Sequence, residues 1–122
     1  MKIAVCAKGE GLKALVDERF GRTDQFVIFD METKEVKTVE NSAKNAGVGA
    51  GGQAVRILNE ENVEVVIVPE VGPKAVDALK AFEIKAYRLG ESKTVEEAIK
   101  KYESKDLKEF ELNVVKGGLR RV

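Results

Sequence analysis

The sequence predicts an α/β domain built on one mixed five-stranded sheet with helices packed against it. Short β-branched apolar runs alternate with stretches of helical period, and Gly, Pro and polar clusters punctuate them. Hydrophobic residues make up 43% of the chain and charged residues 34%, a balance that belongs to a globular protein rather than a disordered one. At 122 residues there is room for a single domain, 1–122, with one small core.

Residues Lys2 to Ala7 alternate and are rich in small and β-branched side chains, which predicts a strand ending where Lys8-Gly9-Glu10-Gly11 begins. The connection that follows, 8–24, is rich in glycine and charge and is longer than an idle turn needs, so it is expected to carry function. Gln25 to Met31 and Glu35 to Glu40 flank the polar turn Glu32-Thr33-Lys34 and predict an antiparallel hairpin. Its first arm is nearly all apolar and reads as central; Lys37 and Glu40 make the second an edge.

After Asn41 to Asn45 come Gly47-Val48-Gly49-Ala50-Gly51-Gly52 and a helix whose stripe is Ala54, Val55, Leu58 and Asn62. Val63 to Pro69 has the β-branched composition of a buried parallel strand. Gly72-Pro73 opens a second helix with Val76, Leu79 and Phe82 on its buried face, and Ile84 to Leu89 is the next strand. Thr94-Val95-Glu96-Glu97 is a capping box starting a third helix, buried along Val95, Ala98, Ile99 and Tyr102. In the tail, Phe110, Leu112 and Val114 alternate like a strand, whereas 116–121 read as a loose basic end.

Composition excludes several functions. The 21 basic and 21 acidic residues cancel, so no net field draws the molecule to nucleic acid or an anionic membrane. No secretory h-region and no run of membrane-spanning length occur, and the lone cysteine rules out an intrachain disulfide or a Cys-x-x-Cys motif; a cytoplasmic protein is expected. The absence of histidine removes Ser-His-Asp and Cys-His catalysis. Abundant Glu and Lys with little Gln is compatible with a thermophilic source.

Four constellations remain. Residues 47–52 satisfy G-x-G-x-x-G and precede a helix whose N-terminus could receive an anion, although the motif follows an edge strand rather than a buried one, as a dinucleotide site would require. Gly47, Gly49, Gly51 and Gly52 thus read either as an anion cradle or as a conformational loop. Arg19-Phe20-Gly21-Arg22 offers two guanidinium groups around a glycine, suited to a multiply charged anion or else to pairing with Asp17, Glu18 and Asp24. Cys6, near the end of the first strand, is either a small buried hydrophobe or a single soft-metal ligand. Asp17, Asp24 and Asp30 raise a metal-dependent phosphodiesterase, but acidic residues at this frequency are usually solvated.

Taken in order, the opening strand, 16–26, the hairpin, Gly49-Ala50-Gly51-Gly52-Gln53-Ala54, Val65-Val66-Ile67-Val68, Gly72-Pro73-Lys74-Ala75 and 94–98 resemble the dinitrogenase iron-molybdenum cofactor biosynthesis family over about 1–103. The resemblance implies a ribonuclease-H-like three-layer fold with helices on both faces of the sheet, without the nuclease's acidic residues. It also implies a non-catalytic nitrogenase-accessory-factor-like protein that binds or carries an iron-molybdenum-cofactor-like or iron-sulfur cluster, with a protein acceptor as possible partner. Family members that bind cofactor are associated with histidine or additional cysteine ligands, which this chain lacks. Arg19, Gly21, Arg22 and the 47–52 loop are left to hold the cluster by charge and backbone N–H groups, with Cys6 as an optional ligand. The alternative is a metal-free regulatory module for a phosphorylated small molecule or a protein partner.

Overall fold

The structure, a computed structural model, describes residues 1–47 and 49–112. Strand β1 (Lys2–Ala7) lies at the centre of the sheet and is covered on both faces, which is why every residue from Ile3 to Ala7 is buried. It pairs antiparallel with β2 (Gln25–Asp30), in register Ile3 with Phe29 and Val5 with Val27, and β2 pairs with β3 (Val36–Glu40). On its other side β1 runs parallel to β4 (Val65–Val68), and β4 parallel to β5 (Lys85–Arg88).

Among the described residues the sheet has six strands rather than five, in the order β3-β2-β1-β4-β5-β6. The added strand, β6 (Glu109–Phe110), pairs antiparallel with β5 and sets Phe110 opposite Ala86. Phe110 begins the strand-like alternation the sequence shows with Leu112 and Val114, and the pairing with β5 is what the tertiary structure adds to β6. Leu112 packs against the core beyond it, while Val114 and the basic end 116–121 lie outside the described residues.

Helices α1 (Ala50–Glu60) and α2 (Pro73–Ala81) cover one face, burying Ala54, Val55, Leu58, Ala75 and Leu79 against Ala4, Cys6, Phe26, Ile28, Val66 and Val68. Helix α3 (Val95–Glu103) covers the other, placing Val95, Ala98 and Ile99 on Ile3, Val5, Val27, Phe29, Val65 and Ile67. Strand alternation sends odd and even residues of β1 into different cores. Among the described residues no helix is long and apolar enough to cross a membrane.

Two expected core positions fall outside their helices. Phe82 is the C-cap of α2 and is 40% exposed, and Asn62 lies two residues beyond the end of α1. Both helices end in a Schellman turn. In α1, Asn62 takes φ 62° and Val63 N–H donates to Leu58 O at 3.1 Å; in α2, Glu83 takes φ 59° and Ile84 N–H donates to Leu79 O at 2.9 Å. The reversal turns Phe82 outward and puts Ile84 in the core.

Candidate functional site

The connection 8–24 folds back along the carboxyl end of β1: Lys8 N–H donates to Leu15 O and Asp17 N–H to Cys6 O, both at 2.9 Å. This brings 17–23 to the carboxyl edge of the sheet, where open α/β folds place their ligands. Asp17 is fully buried there and receives three bonds from Arg19, from the backbone N–H, Nε and one Nη, each at 3.0 Å. Burial by itself would raise the Asp17 pKa, but these bonds and the adjacent guanidinium outweigh it and hold the carboxyl below the usual carboxylate range.

Asn41, also fully buried, donates to Gly21 O at 3.0 Å and Thr23 O at 2.9 Å, while its own oxygen caps the 3-10 turn Ser42–Asn45 through Ala43 N–H at 3.1 Å. Arg22 closes the same junction from the other side, its Nη1 donating to Lys44 O and Ala46 O, both at 2.8 Å. Gly21 is thereby pressed on the first turn of α1. A Cβ there would sit 2.8 Å from Gly51 N and 3.0 Å from Gly51 Cα, so only glycine fits.

The result is a cleft of about 560 Å³ whose walls include Phe20, Gly21, Arg22, Gly49, Ala50 and Gly51 on one side and Glu70, Gly72, Pro73 and Lys74 on the other. Helices α1 and α2 both begin at it. Neither has a side-chain cap and neither has an acidic residue in its first turn. Gly49, the N-cap of α1, holds φ +75°, and Gly72 is the N-cap of α2. Gly51 lets the two helix starts approach, since a Cβ on it would meet Ala75 Cβ at 3.0 Å. Uncapped helix starts carry partial positive charge and unsatisfied N–H groups, an arrangement with the chemistry to accept an anion.

Of the residues singled out in the sequence, the structure gathers Gly21, Arg22, Gly49 and Gly51 here. Gly47 and Gly52 are not among the lining residues, and a Cβ on either would meet nothing within 4 Å. The Arg19 guanidinium is engaged by Asp17. Cys6 is fully buried in the core beneath α1 and α2, where burial, and then the negative charge of Asp17, push its thiol far up and keep it protonated. A metal could reach it only if that core opened. Sequence reasoning missed Lys74 and the start of α2 as cleft components, and Asn41 as the buried group that holds Gly21 and Thr23 in place. Lys74 left one signal, a cation in a first helical turn where an acid is the usual choice.

The chain belongs to the dinitrogenase iron-molybdenum cofactor family, whose pattern matches residues 1–105. It is similar to the orange protein of Desulfovibrio gigas, solved in its apo form, with 36% identity and a TM-score of 0.85 over 89% of this chain and 92% of that one. A Thermotoga protein described as a candidate NifB protein shows 37% identity and a TM-score of 0.78 over 88% and 91% of the two chains. An uncharacterised protein of Methanocaldococcus jannaschii is 32% identical over 95 residues, 75% of this chain and 80% of the relative.

Proposed function

We propose that the protein is a non-catalytic accessory factor that holds an anionic metal-sulfur cluster, of the iron-molybdenum-cofactor or iron-sulfur kind, and passes it to a protein acceptor. One observation carries this reading: two uncapped helix starts, Arg22 and Lys74 converge on one cleft at the carboxyl edge of the sheet. Family membership supplies the class of cargo. Backbone N–H groups, a guanidinium and an ammonium suit the sulfide and oxygen edges of such an anion, and they hold it by charge rather than by coordination. Weak, ligand-free retention suits a carrier that must release its cargo. The same reading takes 1–122 as one ribonuclease-H-like domain working in the cytoplasm, where a lone thiol stays reduced.

The test is anaerobic reconstitution with iron, sulfide and molybdate, followed by desalting, visible absorption and metal analysis. The expected outcome is metal-sulfur charge-transfer absorption with stoichiometric metal, lost in the Arg22→Ala, Lys74→Glu double variant and kept in Cys6→Ala. A colourless, metal-free wild-type protein overturns the proposal. A second reading, a metal-free module for a phosphorylated small molecule, is favoured by one feature: among the described residues no three His, Cys, Asp or Glu side chains come together as a metal site. Phosphate would use the same N–H groups. A thermal-shift series with phosphorylated compounds separates the two, since a ligand that binds only the native state raises the midpoint with its concentration.

A further inference from the structure

Four polar or charged side chains are buried among the described residues, Asp17, Thr23, Asn41 and Ser92, and the first three meet at one short segment, 17–23. A buried polar side chain costs free energy unless its donors and acceptors find partners, and when they do it rigidifies what it holds. Two of the three fasten the ends of the segment. Asp17 holds Arg19 through three bonds of 3.0 Å, and Thr23 Oγ1 donates at 3.1 Å to Ala7 O, at the carboxyl end of β1. Between those ends lie Phe20, Gly21 and Arg22, the part of the segment that lines the cleft.

Asn41 governs that middle part from outside it. Fully buried and not itself a lining residue, it uses its whole amide: Nδ2 donates to Gly21 O and Thr23 O, the carbonyls on either side of Arg22, and Oδ1 accepts from Ala43 N–H. That last bond caps the 3-10 turn Ser42–Asn45. The carbonyls of Lys44 and Ala46, within this turn and just past it, are the two that take Arg22 Nη1. The backbone on both sides of Arg22 and the acceptors at its tip are therefore set from one amide. The choice of residue is specific, since a carboxylate has no N–H for the two carbonyls and a hydroxyl has only one donor. We infer that Asn41 is the positioning residue of the cleft: it touches no ligand and acts through Arg22, holding the guanidinium in place before an anion arrives. Donors ordered in advance bind more tightly because less freedom is lost on association. The inference rests on the reading of the cleft as an anion site.

Molybdate, a tetrahedral dianion, titrated calorimetrically into the full, cluster-free chain tests it in the wild type, Asn41→Ser, Arg22→Gln and the double variant, below the unfolding midpoint of all four. Serine can still cap the 3-10 turn but cannot supply donors to both Gly21 O and Thr23 O. Each single substitution should weaken binding about tenfold, the effect of one charged hydrogen bond. The double variant should bind no worse than either single one, because Asn41 then has no guanidinium to position. A loss at Asn41 that persists in the Arg22→Gln background makes Asn41 a general support of the fold and overturns the inference, as does full affinity in Asn41→Ser. NMR relaxation at the arginine Nε–H groups of the wild type needs no substitution at 41. Arg22 should be ordered in the free protein, unlike the exposed Arg56 of α1, and no more ordered with molybdate bound; an Arg22 as mobile as Arg56 overturns the inference. If the wild type binds no molybdate, the anion reading of the cleft falls and this inference with it. If the wild type binds and Arg22→Gln binds equally well, the anion site stands and the positioning role alone fails.

Discussion

The three α-helices of the described residues end alike and begin differently. All three close in Schellman turns with a non-glycine residue at positive φ, Asn62, Glu83 or Lys105, so their last carbonyls are satisfied by the chain itself. At the start, α3 is equally self-sufficient: Thr94 accepts from Glu97 N–H at 3.2 Å, Glu97 accepts from Lys93 N–H at 2.6 Å, and Glu96 and Glu97 place negative charge on the first turn. Helices α1 and α2 have neither cap nor acid and begin at one shared cleft. A helix start that the chain completes is structural; two left incomplete, side by side, are where the proposed anion would supply the missing acceptors.

The comparison can be broken in stability and binding together at Gly21. Gly21→Ala drives a Cβ into the α1 backbone at 2.8 Å, and overpacking of this kind costs about 1–3 kcal/mol, read from the urea midpoint, with loss of anion binding at the cleft. Next is the pair that shapes the same segment. Because the folded-state pKa of Asp17 is depressed, its contribution is complete above the unfolded carboxylate pKa and is lost as pH falls through the folded value. Asp17→Asn should remove that acid-side slope, measured as urea midpoint against pH, and should cost about 1.5–3 kcal/mol near neutrality, the range for hydrogen bonds to a charged group.

Smaller changes sharpen the contrast. Thr94→Ala strips the cap from α3 and should cost about 1 kcal/mol while leaving cluster or phosphate binding untouched. Lys74→Glu gives α2 the first-turn acid it lacks; it should stabilise the apo protein by about 0.3–1 kcal/mol and weaken anion binding. Opposite signs in stability and binding at Lys74, with a stability loss alone at Thr94, would separate a ligand-completed helix start from a chain-completed one.

Much of the fold was legible because it rests on local patterns. The β1 span, the hairpin, the edge position of β3 and the cap of α3 each follow from alternation, turn chemistry or a four-residue box. β6 was legible only in part: the alternation at Phe110 suggested a strand, but its place as a sixth strand beside β5 came from the pairing. The two arginines show the same limit at the candidate site. Arg19 and Arg22 stand three residues apart around a glycine and look equivalent in sequence, yet Arg19 is held by Asp17, while Arg22 clasps the 3-10 turn and lines the cleft.

By itself, the sequence determined the three helices and the first five strands, the burial of β2 and β4 and the absence of histidine chemistry, because each is a property of neighbouring residues or of the residue inventory. Only the tertiary structure decided which groups share a site. It sank Cys6 into a core and set Gly21 against Gly51 across thirty positions of chain. It also turned the start of α2 toward the start of α1, for helix ends converge through the packing of their apolar faces on a common sheet, and no local pattern records that convergence.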